Sequence, residues 1–132
     1  MINTNIYCGS IVDAGFNLIW FLEDRFEEKN VDLFLSLVSL DFKRGFDKLK
    51  ESLKEEFRIY EDIKLFVYLD SRKCEFRDAE YAYSICWSKR LKKLNEVDFC
   101  RKTGKAVIIL KKTSEIYKQR LLLYDIQGEN PF

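Results

Sequence analysis

The sequence predicts an α+β fold: a small, mostly antiparallel sheet of about three to four strands with about three helices packed against it, in the order (β)ααβαββ. Three observations carry that prediction. Apolar residues recur at helical spacing over the first half of the chain, a continuous β-branched run occupies residues 63–69, and two short strand-like runs lie close together near the end, as in an antiparallel hairpin.

Taken in order, residues 2–8 have the pattern of a short edge strand. Ser10 then stands where a helix N-cap belongs, with Asp13 in a capping-box position. Val12, Phe16, Ile19, Trp20 and Phe26 follow at helical spacing, which predicts a helix over 11–26 that Asn30 ends. Residues 31–40 alternate like a strand. However, Asp32, Ser36, Ser39 and Lys43 fall on one helical stripe, and Phe42, Phe46, Leu49, Leu53 and Phe57 continue it on the apolar side. The spacing predicts one long or broken helix over 32–57, bent at Gly45. Residues 63–69 read as a buried strand, followed by a turn at Asp70-Ser71-Arg72.

Residues 78–95 fit two patterns. Tyr81, Tyr83, Ile85 and Trp87 alternate, whereas Ala79, Ala82, Tyr83, Cys86, Trp87, Leu91 and Leu94 form a longer helical stripe behind an Asp78 cap, which favours a helix. Thr103-Gly104-Lys105 reads as a turn into a strand over 106–110, and 121–126 is its hairpin partner. Phe16, Trp20, Leu37, Phe46, Leu49 and Leu53 are the expected inward-facing helix residues.

The 132 residues suit a single domain spanning 1–132, with 47% apolar residues for a core, 34% charged residues for a surface, and one proline. The N-terminus lacks the pattern of a signal peptide, and the longest apolar stretch, 18–22, is far too short to cross a bilayer. These features predict a cytoplasmic protein. Cys8, Cys74, Cys86 and Cys100 lack the paired spacing of a metal site and are expected as reduced thiols, with no metal and no cofactor. The absence of histidine removes the commonest general base and metal ligand.

Charge is segregated along the chain. Residues 1–70 carry a net −5, residues 71–132 a net +6, and the stretch 87–120 alone a net +8. Two candidate partner-binding patches follow. One is acidic: Glu23, Asp24, Glu27, Glu28 and Asp32. The other is aromatic and basic: Tyr81, Tyr83, Trp87, Lys89, Arg90, Lys92, Lys93, Arg101, Lys102 and Lys105. Arg101-Lys102-Thr103-Gly104-Lys105 lacks the first glycine and the hydroxyl residue of a phosphate loop, and Asp70, Cys74, Glu75 and Asp78 form no recognisable catalytic set.

With no catalytic residues to name, these features predict a non-catalytic binding protein, monomeric or weakly dimeric, that neutralises a protein partner in the manner of an immunity, antitoxin or phage-type inhibitor protein. A nuclease toxin or other effector would be its target. The alternative is a small nucleic-acid-binding module using the basic 87–120 region. A third reading is a small enzyme working with carboxylate, Tyr or Lys chemistry.

Overall fold

The computed structural model describes residues 10–113 and 120–132, without the side chains of residues 10–13 and 71–73. Three helices come first: α1 (Ser10–Glu27), α2 (Val31–Leu35) and α3 (Phe46–Ile59). Four strands follow: β1 (Tyr60–Arg77), β2 (Glu80–Lys93), β3 (Cys100–Lys112) and β4 (Leu121–Gly128), joined as an antiparallel meander in that order. The α+β class and the antiparallel sheet are as predicted. The order is not: helices and strands are segregated, in place of (β)ααβαββ. The strand expected over 2–8 lies outside the described residues. Among the described residues, no helix is long and apolar enough to cross a membrane.

The largest departure is at 78–95, which is strand and not helix. Asp78 and Ala79 both take positive φ, 53° and 64°, between the closing pair Arg77 and Glu80. Two consecutive left-handed residues make a tight turn whose twist matches that of a hairpin. Asp78 therefore ends a strand where a helix cap was expected. Beyond it the alternation holds: Tyr83, Ile85, Trp87, Lys89 and Leu91 are all buried. β2 pairs with β1 on one side and β3 on the other, and these non-local ladders override a stripe that local sequence also allowed. Two expected turns are likewise absorbed into strands. Residues 103–105 lie inside β3, where Gly104 faces Trp87 and a Cβ would collide with the indole. Residues 70–72 lie inside β1, where the register shifts between Leu69 and Cys74.

The helix expected over 32–57 is broken. Asn30 closes α1, as expected, its N–H donating to Arg25 O at 3.0 Å behind the left-handed Lys29, and it also caps α2, its Oδ1 accepting the Leu33 N–H at 3.0 Å. After α2 the chain leaves the helix because the open edge of β4 offers better partners. Ser39 N–H donates to Leu123 O at 2.8 Å, Leu123 N–H to Leu37 O at 2.8 Å, and Lys43 N–H to Tyr124 O at 2.9 Å. Gly45, at φ 100°, turns the backbone into α3.

All three helices cover one face of the sheet. Leu18, Ile19, Leu22 and Phe26 from α1, Phe34 from α2, and Leu49, Leu53 and Phe57 from α3 meet the inward residues of the strands. Phe16, Leu37 and Phe46 pack against this core from its margin. Trp20, expected inward, is 52% exposed, because the stripe that docks runs through 18, 19, 22 and 26. Phe26 is the hub of an aromatic cluster, with ring centroids 5.3 Å from Phe57, 5.7 Å from Phe132 and 6.4 Å from Phe34.

At the other end of α1, Gly15 leaves a notch that the Tyr83 hydroxyl fills, and a Cβ there would overlap the phenol ring. Gly15→Ala should therefore destabilise the fold by about 1–3 kcal/mol, although alanine is the better helix former. Combined with Tyr83→Leu, the same change should cost less than it does alone. Urea melts of the two single variants and the double variant test this, and strictly additive losses would show that the notch is not the cause.

Candidate functional site

The acidic patch does not survive folding as one surface. On α1, Glu27 Oε1 accepts the Leu65 N–H at 2.8 Å and Glu23 Oε2 accepts the Val67 N–H at 3.3 Å. These N–H groups lie on the edge of β1 that no strand pairs among the described residues, and there two carboxylates serve as their acceptors. Burial pushes the Glu23 carboxyl up to about 7. Glu27 and Asp24 add to the shift, and the Val67 N–H opposes it. Asp24, Glu28 and Asp32 stay exposed, with Glu28 in a 2.9 Å ion pair with Arg25.

The aromatic and basic patch divides by strand alternation. Tyr83, Trp87 and Lys89 face inward and are buried, and Tyr81 packs at the margin of the core. The Trp87 indole N–H donates to Glu129 O at 2.7 Å. Lys89 Nζ lies 2.8 Å from Glu56 and 5.1 Å from the centroid of the Phe26 ring. Burial holds the Lys89 ammonium below the usual lysine range, and Glu56 offsets part of the shift. Lys102 sits opposite Lys89 on β3, beside a small cleft with Tyr60 and Glu56. Arg90, Arg101 and Lys105 face the other way, Lys92 pairs with Glu61 at 2.9 Å, and Lys93 is exposed at the end of β2. Thus one run of basic sequence supplies two opposite faces.

A larger cleft than the one beside Lys102 lies elsewhere. A cleft of about 670 Å³ lies between the α2–α3 connection and the β3–β4 hairpin. A β-bulge shapes it. Asp125 pairs with Ile109 and Leu123 with Leu110, which leaves Tyr124 as the extra residue and turns its ring out of the alternation. Lys111 Nζ lies 4.1 Å from that ring's centroid, with Lys43 on the ring as well at 6.0 Å. Lys112 and Arg120 flank the hairpin neck, where the Thr113 N–H donates to Arg120 O at 2.9 Å. The opposite wall is partly apolar, through Leu35, Val38 and Leu40, and Asp41 adds a carboxylate to it.

None of these cleft residues was named individually as a site residue from sequence, although Lys111, Lys112 and Arg120 fall within the basic 87–120 stretch. The available signal was Leu121-Leu122-Leu123, three apolar residues in a row that break the period of two and mark a bulge. Ser36, also in the lining, donates its hydroxyl to Leu33 O at 2.6 Å and so serves the end of α2.

Cys74 is disulfide-bonded, which corrects the expectation of four free thiols; its partner lies outside the described residues. Cys86 and Cys100 are free. Among the described residues no three Cys, Asp or Glu side chains are placed to hold a metal ion.

No protein-family model matches the chain, and no curated protein matches it in sequence. Solved structures do match in fold. A conserved protein from Planctomyces limnophilus superposes with a TM-score of 0.75 at 8% identity, over 91% of this chain and 98% of that one. A nuclear transport factor 2-like (NTF2-like) superfamily protein from Salmonella enterica serovar Typhimurium gives 0.71 at 12% identity, over 93% of each chain. A putative scytalone dehydratase from Novosphingobium aromaticivorans gives 0.74 at 9% identity, over 93% of this chain and 88% of that one.

At such identities the likeness is one of fold, the NTF2-like α+β fold. It overturns the expectation of a neutralising immunity- or antitoxin-type inhibitor, and the internal use of Glu23 and Glu27 removes the acidic pole on which that expectation rested. The 87–120 region does not form one surface, since Trp87 and Lys89 are buried while Arg90 and Arg101 lie on the opposite face of the sheet.

The raised Glu23 carboxyl gives stability a pH dependence of definite sign. At low pH the group is protonated in both folded and unfolded chains. Between the ordinary value of 4.5 and about 7, the folded chain keeps a proton that the unfolded chain has released, so stability falls as pH rises and levels off above that range. Glu23→Gln keeps an acceptor for the Val67 N–H and removes the titration. With allowance for the solvent that still reaches the group, the variant should be more stable by about 1 kcal/mol near pH ~8 and unchanged near pH ~4. Denaturant melts across that range check this, and an equal gain at both ends would assign the effect to packing.

Proposed function

We propose that the chain is a ligand-binding domain that holds a small amphipathic anion, an organic carboxylate or phosphate with an apolar body, in the cleft beside the β4 bulge. The observation that carries this reading is the convergence of Lys111, Lys112 and Arg120 around a bulge-aimed tyrosine, opposite a partly apolar wall. The volume, about 670 Å³, lies in the range of small-molecule sites, which are mostly apolar with a few convergent polar groups. Arginine and lysine at the mouth supply charge-assisted hydrogen bonds to an anionic head. A small-molecule ligand also suits a fold shared with a protein described as a putative scytalone dehydratase.

Binding without turnover fits the lining better than catalysis does. The chain has no histidine, and Asp41, the one carboxylate among the cleft's described residues, is exposed. The Ser36 hydroxyl is committed to the end of α2.

Anilinonaphthalene sulfonate, an aromatic anion whose fluorescence rises on apolar contact, is a suitable probe, with octanoate as competitor. Saturable binding to the native protein is expected. Lys111→Ala and Arg120→Ala should each weaken it about ten-fold, as the loss of a charge-assisted contact implies. Lys54→Ala, on the exposed side of α3, should leave it unchanged. Binding that is unsaturable, or indifferent to both cleft substitutions, would remove the proposal.

A further inference from the structure

The face of the sheet that the helices leave bare carries its own pattern. Register places Lys64, Arg90 and Arg101 side by side on β1, β2 and β3, three cations in one cross-strand row. Adjacent strands are about 5 Å apart, so the row spans about 10 Å. Like charges set directly opposite one another are destabilising unless something offsets them. The row behind it is mixed, Asp62 facing Lys92, but among the described residues no carboxylate forms an ion pair with Lys64, Arg90, Arg101 or Lys105. The Arg101 Nε–H instead donates to the Ser88 hydroxyl at 3.3 Å.

Next to the row, on the same face, stand Phe66 and Tyr68, 44% and 58% exposed. Phe99 is 37% exposed at the entry to β3, with the Arg90 guanidinium 4.7 Å from its ring centroid. Register also puts Lys105 beside Cys86, which pairs with Tyr68. The result is an antiparallel sheet surface with exposed rings next to cations that form no ion pair among the described residues.

We propose that this face binds single-stranded nucleic acid, with Lys64, Arg90, Arg101 and Lys105 contacting phosphates and Phe66, Tyr68 and Phe99 stacking bases. The charge calls for an anion, and a row of cations about 10 Å long calls for one that carries several charges in line, as a polyanion does. The rings distinguish a base-bearing polyanion from a bare one, since sheet-borne aromatics beside a cationic track are what sequence-tolerant single-strand recognition uses. A second copy of this chain is a less fitting occupant, because it brings its own cations to the face. The proposal is independent of the hairpin cleft.

A fluorescein-labelled oligo-dT of about twelve nucleotides is the probe, read by anisotropy across a salt series. Saturable binding is expected, with log affinity falling on log salt at a slope of about −3, as roughly 0.7 per phosphate contact implies for four cations on a single strand. Arg90→Ser should flatten that slope by about 0.7. Phe66→Ala and Tyr68→Ala should each lower affinity about five-fold or more with little change in slope. Circular dichroism melts confirm that each variant folds, and Lys54→Ala is the neutral control.

Three results would overturn the proposal. One is no saturable binding up to ~100 μM at ~50 mM salt, conditions that favour phosphate contacts. Another is equal affinity for heparin, which has the charge but no bases to stack. The third is a stable dimer that Phe66→Glu dissociates, which would show the face covered by a second copy.

Discussion

The outer edge of β1 offers N–H groups that no strand pairs among the described residues, and a sheet edge covered by a helix cannot leave them unmet. α1 supplies the acceptors through Glu23 and Glu27. That arrangement fixes the height of the helix along the strand. It sets which stripe of α1 turns inward, brings Phe26 over the Lys89–Glu56 pair, and lays Gly15 against Tyr83. The carboxylates act on position more than on net stability, since Glu23 is held against its own tendency to stay hydrated. Most of the stabilisation comes from the apolar stripe, and the carboxylates make one docking height better than its neighbours.

Much of this frame was legible in sequence. The apolar spacing of α1 and α3, the break near Gly45, the central apolar run and the closing hairpin all follow from local periodicity. Residues 78–95 were not legible, because Ala, Cys, Tyr and Trp can satisfy a period of 3.6 and a period of 2 within the same stretch. What decides between them is the Asp78-Ala79 turn and pairing on both sides, neither visible from within the segment. Trp20 failed for a related reason. Spacing defines a stripe only to within a residue, and the edge carboxylates choose which side of α1 docks.

The candidate sites were less legible than the fold. Clustering in sequence suggested one basic surface at 87–120, yet on a strand successive residues point to opposite faces, so a run of cations is divided as soon as it extends. The outward row needs Lys64 from a strand that sequence presented as continuously buried. Its alternation, Lys64, Phe66 and Tyr68 against Ile63, Leu65 and Val67, was present but masked by aromatic rings that count as apolar wherever they point. The cleft depended on a bulge that turns one tyrosine, a feature set by the register of β3 against β4.

A formal net charge of +1 understates how cationic the outer surfaces are. Carboxylates have been drawn inward as structural acceptors. Glu23 and Glu27 serve the β1 edge, Glu56 neutralises Lys89, and the buried Asp125 accepts the Ile126 N–H. Each is a carboxyl group that no longer screens a neighbouring lysine or arginine on the surface. What remains outward is Lys64, Arg90, Arg101 and Lys105 on the bare sheet face, and Lys111, Lys112 and Arg120 at the cleft, none in an ion pair among the described residues. The field around a protein depends on where its charges lie as well as on how many there are. Here the same choice that secures the sheet edge leaves cations available to an anion.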